Sequence, residues 1–344
     1  MTIRAFFKEQ AEACTALGSP FTGRLLTLLA QKLAPDTAVG ERILNWHGDA
    51  SNRGDSVPLR LTGALHALVL QGKSPALIAA YPPNAVDDAT LWQAVHSALK
   101  THNDQLQDWL DSPPQTNEVR RAAALMPAML SLQTMFNLPL VISELGASAG
   151  LNLNWDRFEL TLEGQKFGTP NAAVQLAPDW SGPLPPQIAP QVIGKAGCDI
   201  NPLDPVDDAL RLRAYIWPDQ TDRMQRTEAA IAIAQRENAP VARMDAEDWL
   251  KSRLSTRHQG AVHVVYHTVA WQYFPQATQD ACEAALQQAG AAATADAPLA
   301  HIGMEADGQG DGAGLTAQIW PGGKKYDLGR ADFHGRWVNW IGFG

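Results

Sequence analysis

Residues 138–158, LPLVISELGASAGLNLNWDRF, set an apolar run against a turn built from small side chains. Leu138 to Glu144 reads as a buried strand. Gly146-Ala147-Ser148-Ala149-Gly150 then turns the chain into a short helix. Small residues let backbone approach a ligand, and amide groups at a helix start favour a carboxylate or phosphate. A strand, a small-residue turn and a helix form the opening unit of an open α/β sheet.

Downstream, short apolar or β-branched runs alternate with helical stretches, the pattern of a parallel sheet. Strands are expected at Gln191 to Asp199, Val241 to Asp245, Ala261 to His267 and Leu299 to Glu305, with helices at Thr221 to Gln235 and Gln279 to Gly290. Leu315 to Trp320, the turn Pro321-Gly322-Gly323 and Arg336 to Phe343 read as antiparallel strands closing the sheet. The Pro- and Gly-rich segment at about 158–190 reads as an insertion, a hairpin and a loop. Upstream, residues 1–136 read as helices: Phe21, Leu25, Leu28 and Leu29 recur at helical spacing after Ser19-Pro20, and further stripes follow. The expected division is a helical domain or cap over 1–136 and a Rossmann-like domain over 137–344.

Four successive strands of the second part, ending at Glu144, Asp199, Asp245 and His267, deliver polar residues at their carboxyl ends, where ligands of open sheets bind. Asp199 is placed to accept both hydroxyls of a ribose. Asp245, with Ala246 beside it, is placed to accept from an adenine amino group. A dinucleotide fingerprint registered on Gly146 would want glycines at Ser148 and Leu151, and both are missing. The acid-x-G-x-G-x-G pattern of class I methyltransferases instead matches at Glu144, Gly146 and Gly150, with Ser148 in place of the middle glycine. S-adenosylmethionine asks for this mixed site: a carboxylate for its amino group, amides for its carboxylate, and two later acids for ribose and adenine.

His267, at the end of the fourth strand, is the expected acceptor of a substrate proton, since histidine exchanges protons near neutrality. His334 is the reserve. The alternative for His267 is a hydrogen bond to a loop. Trp271 and Tyr273 are candidates for an apolar wall, or for plain packing. Asn117, Glu118 and Arg121 start the helix before the first strand, as substrate-side groups or as a cap. His66 reads as a core or interface histidine.

The formal net charge of −9, without a Lys/Arg cluster, argues against nucleic acid and for a small-molecule substrate. Hydrophobic residues at 45% and charged ones at 18% suit a folded chain. No signal peptide or run of about 18 apolar residues is found, so a cytoplasmic protein off the membrane is expected. Cys14, Cys198 and Cys282 lack C-x-x-C spacing, which predicts inert thiols and no metal site.

The blocks ELGASAGLNLNWDRF, QTNEVRRAAAL, GCDINPLDP, DFHGRWVNW and LRLTGALHALVLQG resemble those of an uncharacterised bacterial family, domain of unknown function 2332, related to class I methyltransferases. The resemblance implies a class I methyltransferase-type sheet and binding of S-adenosylmethionine. It carries no known reaction. Methyl transfer to a small molecule is therefore the leading expectation, ahead of a non-catalytic ligand-sensing or protein-interaction module and of a nicotinamide oxidoreductase.

Overall fold

The structure, a computed structural model, describes residues 2–344. The chain forms two compact units: residues up to Thr116 together with Asp207–Glu228, and Asn117–Val206 together with Ala229–Gly344.

The first unit is helical: α1 (Ile3–Ala16), α2 (Pro20–Lys32), α3 (Ala38–Leu44), α4 (Val57–Leu70), α5 (Pro75–Ala80), α6 (Asp88–Thr101) and α7 (Asn103–Leu110). Short polar side chains fix the helix starts. Ser19, Thr37, Ser74 and Asp87 accept amides of the first turns of α2, α3, α5 and α6, and prolines occupy the first turns of α2, α4 and α5. Leu25, Leu26, Leu29, Leu61, Leu65 and Leu68 supply the core. After α8 (Ala122–Phe136), which belongs to the second unit, the chain returns with α9 (Ala209–Ala214) and the start of α10 (Thr221–Glu237).

That return explains two residues inside α4. A Cβ at Gly63 would lie 2.5 Å from the Tyr215 ring, so the ring takes the space a side chain would need. His66 donates through Nδ1 to the Ala214 carbonyl at 3.1 Å, and burial pushes its pKa down to about 4. It is a neutral core histidine.

The second unit holds β1 (Leu140–Leu145), β2 (Phe158–Leu162), β3 (Gln165–Gly168), β4 (Val174–Leu176), β5 (Asp179–Ser181), β6 (Val192–Asp199), β7 (Val241–Arg243), β8 (Val262–Thr268), β9 (Leu299–Glu305), β10 (Ala313–Trp320), β11 (Lys324–Ala331) and β12 (Trp337–Trp340), with helices α8, α11 (Ala246–Leu254) and α12 (Gln276–Ala291). Nine strands make one mostly parallel sheet, ordered β5-β12-β11-β10-β9-β8-β1-β6-β7. The five strands β7, β6, β1, β8 and β9 are mutually parallel. Numbered by chain order they read 3-2-1-4-5, a doubly wound arrangement whose direction of winding reverses between β1 and β8. Strands β10, β11 and β12 extend this sheet antiparallel, and β5 closes it parallel to β12. A separate sheet, β3-β2-β4, comes from the insertion.

Side chains alternate along each strand and so divide the sheet into two faces. Leu145, Cys198, Val265 and Leu299 pack on one face with Trp249 and Leu250 of α11 and Cys282 and Leu286 of α12. On β8, Val262, Val264 and Tyr266 belong to the other face.

Most strands fall within two residues of expectation, and two differences have clear causes. Strand β7 ends at Arg243 because Asp245 leaves the ladder to cap α11, accepting from the Glu247 amide at 2.8 Å. Strand β11, KKYDLGRA, carries too little apolar alternation to be recognised alone and is defined by its neighbours β10 and β12. In the insertion, β2 and β3 form a hairpin through Glu163 and Gly164, both at positive φ, the geometry of a tight two-residue turn.

Cys14, Cys198 and Cys282 are buried free thiols, pushed up by burial to about 11, 12 and 12. Among the described residues no helix is long and apolar enough to cross a membrane.

Candidate functional site at the strand ends

The turn after β1 is held in a left-handed backbone. Gly146, Ser148 and Gly150 have φ of 69°, 53° and 67°. Ser148 thus adopts a conformation that favours glycine, at a cost of roughly 1–2 kcal/mol for a side chain in that region. At Gly146 there is no room for a side chain, since a Cβ would lie 2.6 Å from the Ala270 Cβ.

The amides of this turn have partners inside the protein. Ala147 donates to the Cys198 carbonyl at 2.9 Å, Ser148 to Asp199 Oδ2 at 2.9 Å, Gly150 to the Ala147 carbonyl at 2.8 Å and Leu151 to Asn117 Oδ1 at 2.8 Å. The amides expected to receive a ligand carboxylate are therefore largely engaged by the ends of neighbouring elements. The Ser148 hydroxyl is enclosed and has no hydrogen-bond partner.

Glu144 lies inside β1, paired in register with Tyr266, whose hydroxyl donates to Glu144 Oε2 at 3.1 Å. Burial pushes the Glu144 carboxyl up to about 8, although the Tyr266 hydroxyl and Arg121 favour its ionised form. Burial thus favours the neutral form. Arg121 donates to the carbonyls of Phe333 at 2.9 Å and Thr268 at 3.1 Å, and so joins the C-terminal segment to the end of β8. The Glu118 carbonyl accepts from Asn152 Nδ2 at 3.2 Å, and its carboxylate lies 3.7 Å from His334 Nδ1. Asn117, Glu118 and Arg121 are thus gathered at the carboxyl ends of β1 and β8.

Asp199 and Asp245 stand on the neighbouring edge. Asp199 accepts the Ser148 amide on one oxygen and the Asn201 amide on the other, at 2.9 and 2.8 Å. Each oxygen keeps a second lone pair. The main chain links the two strand ends, the Met244 amide donating to the Asp199 carbonyl at 3.1 Å. Large apolar side chains sit exposed next to both acids: Ile200 at 72% and Met244 at 43%. Ala246 is buried beneath this edge. A recess of about 200 Å³ borders Gly150, Leu203 and Val241 but reaches neither acid; Asp245 is exposed and Asp199 half-buried.

His267 lies on the opposite face of the sheet from Glu144. Its ring is buried, with Nδ1 donating to Glu305 Oε1 at 2.7 Å and Nε2 meeting His301 Nε2 at 3.0 Å. Trp271 stacks on it, ring centroids 4.7 Å apart, while Tyr273 is exposed. Glu305 also accepts the amides of Ala270, Trp271 and Gln272 at 2.9, 3.1 and 3.4 Å. Burial alone would raise the Glu305 pKa, but His267 and the Ala270 and Trp271 amides outweigh it and hold the carboxyl below its usual range. His267 therefore anchors the loop after β8, and both its nitrogens are engaged. His334 is half-buried, its amide held by Asp332 at 3.0 Å.

Sequence reasoning missed Tyr266, Glu305, His301 and the exposed pair Ile200 and Met244. The period-two alternation of VHVVYHT already separates Tyr266 from His267, but only the β1/β8 register shows that Tyr266 meets Glu144.

A family model described as an uncharacterized protein conserved in bacteria (DUF2332) matches residues 4–340. The chain belongs to this family. No curated protein and no solved structure matches it.

Proposed function

We propose that this member of the DUF2332 family binds S-adenosylmethionine at the carboxyl ends of β1, β6 and β7 and transfers its methyl group to a small molecule. One observation carries the reading: two strand-end carboxylates, Asp199 and Asp245, stand on one edge beside two exposed apolar side chains, Ile200 and Met244. This is the chemistry of a purine nucleoside site, in which carboxylates accept ribose and amino hydrogens and aliphatic side chains cover a flat ring. The bound cofactor would supply a methyl group already activated on a sulfonium.

The residues present fit that group. Asp199 is held in place by two amides and keeps lone pairs for ribose. Glu144, neutral when buried alone, would ionise against an arriving ammonium, with Tyr266 holding the carboxylate in place. The enclosed Ser148 hydroxyl supplies a further polar atom. His334, beside Glu118 and near the end of β8, is the candidate to take a proton from the acceptor, because His267 is occupied on the other face.

Calorimetric titration with S-adenosylhomocysteine is the test. A saturable heat is expected, weakened at least roughly tenfold by Asp199→Asn, with no binding of NADH. At a hundredfold excess over its Kd the ligand should add about 2.7 kcal/mol of stability. Absence of both heat and thermal shift at millimolar ligand would leave the second reading, a fold kept for association. That reading draws support from the internally satisfied amides of the 146–151 turn.

A further inference from the structure

At the other end of the parallel strands, where β8 and β9 begin, a cavity of about 370 Å³ opens between the carboxyl-terminal ends of α11 and α12. This volume falls within the range of small-molecule sites. Its two walls differ. The α12 side and the β9 start contribute small apolar groups, among them Ala289, Ala293, Pro298 and Leu299. The α11 side contributes Lys251, Arg257, His258 and His263, together with the Ser255 and Thr256 hydroxyls.

No aspartate or glutamate lines the cavity. In a chain with 36 acidic and 27 basic residues, a cavity whose only ionisable lining groups are basic is a departure that needs a cause. Lys251 is paired with Glu247 at 2.5 Å, outside the lining. Arg257 is exposed, and among the described residues it has no ion-pair or hydrogen-bond partner. Behind the wall, Arg253 donates through Nε to Ser143 Oγ at 2.9 Å, and burial lowers its pKa with no carboxylate to offset the effect. His263 is buried against Ser143 Oγ at 2.8 Å, and the His258 ring meets it edge-on at 4.9 Å. The His258 Nε2 atom is enclosed and has no hydrogen-bond partner.

Arg257 and, behind the wall, Arg253 thus carry positive charge without a carboxylate partner, and the two histidines stay neutral beside them. Burial and Arg253 hold His258 below its usual range, and burial, His258 and Arg253 push His263 down to about 3. An anion entering beside Arg257 and His258 would supply the missing negative charge and an acceptor for Nε2. An apolar body on that anion would cover the alanine wall.

We propose that this cavity is a binding site for a small organic anion with an apolar body, an aryl or short-chain carboxylate, held by Arg257 and His258 against the alanine face of α12. The site is separate from the strand-end carboxylates and stands or falls independently of methyl transfer.

Benzoate is the probe, with benzamide as its neutral counterpart and inorganic phosphate as an anion without an apolar body. Benzoate should give saturable calorimetric binding and should raise the pH at which the His258 ring titrates, followed by NMR. Benzamide and phosphate should bind at least roughly tenfold more weakly. Arg257→Gln with His258→Gln should weaken benzoate by a similar factor, while the ligand-free variant keeps the parent's melting temperature. Unchanged benzoate affinity in a folded double variant, equal binding of benzamide, or no saturation at millimolar benzoate would overturn the proposal. Phosphate binding as tightly as benzoate would overturn the apolar part of the assignment.

Discussion

The two faces of the sheet beside strand β8 treat a glutamate in opposite ways. On one face Glu144 receives a single hydroxyl, from Tyr266, and its pKa rises to about 8. On the other, Glu305 receives His267 and three backbone amides, and its pKa falls below the ordinary range. Burial penalises both charges, so the number and strength of donors decide the outcome. Glu305 belongs to a completed structural network that pins the loop after β8. Glu144 keeps one hydroxyl donor, and the charge of Arg121 does not offset its burial.

The sharpest way to break this contrast is Glu305→Ala. It would strand the His267 Nδ1 proton and three amides, and should cost about 3–5 kcal/mol in urea denaturation at pH 7. A loss under about 1 kcal/mol would remove the distinction between the faces. Because the folded pKa of Glu305 is depressed, its contribution is present above the unfolded value and is lost as pH falls through the folded one.

Glu144→Gln tests the opposite sign. The folded pKa is raised, so the parent loses stability as pH climbs from the unfolded value near 4.5 to about 8. At 1.36 kcal/mol per unit, the variant should gain about 3 kcal/mol on the parent between pH 4.5 and pH 7. Parallel stability-pH curves for parent and variant would mean that Glu144 is ionised in the fold.

The smallest effect is expected at Ser148→Gly. Relief of the left-handed strain and loss of an enclosed, unpartnered hydroxyl oppose the extra chain entropy of glycine, leaving a gain of about 0.5 kcal/mol. A clear loss would show that the hydroxyl holds a partner of its own.

Much of this molecule was legible in its sequence. The pattern of residues 138–158 announces a strand, a small-residue turn and a short helix, because apolar runs and small residues act locally. The capped helices of the first unit and the strand-end acids Asp199 and Asp245 follow from the same local chemistry. Gly146 and Gly150 mark the turn in the sequence, whereas the positive φ of Ser148 between them is seen only in the structure.

The partners of these groups were decided by the tertiary structure alone. Whether Glu144 meets Tyr266, and whether His267 points to the rim or into a network with Glu305 and His301, depends on the register of β1, β8 and β9, and a one-residue shift would exchange the faces. Tyr215 fills the space above Gly63 only because a segment about 150 positions later returns to the first unit. The cationic cavity joins Arg257 and His258 to alanines of α12 and the start of β9 in the same way. Sequence determines what each element is, because backbone geometry and capping are settled within a few residues. Which charges meet, and so which carboxyl is acidic and which is held neutral, is settled by contacts between segments far apart in the chain.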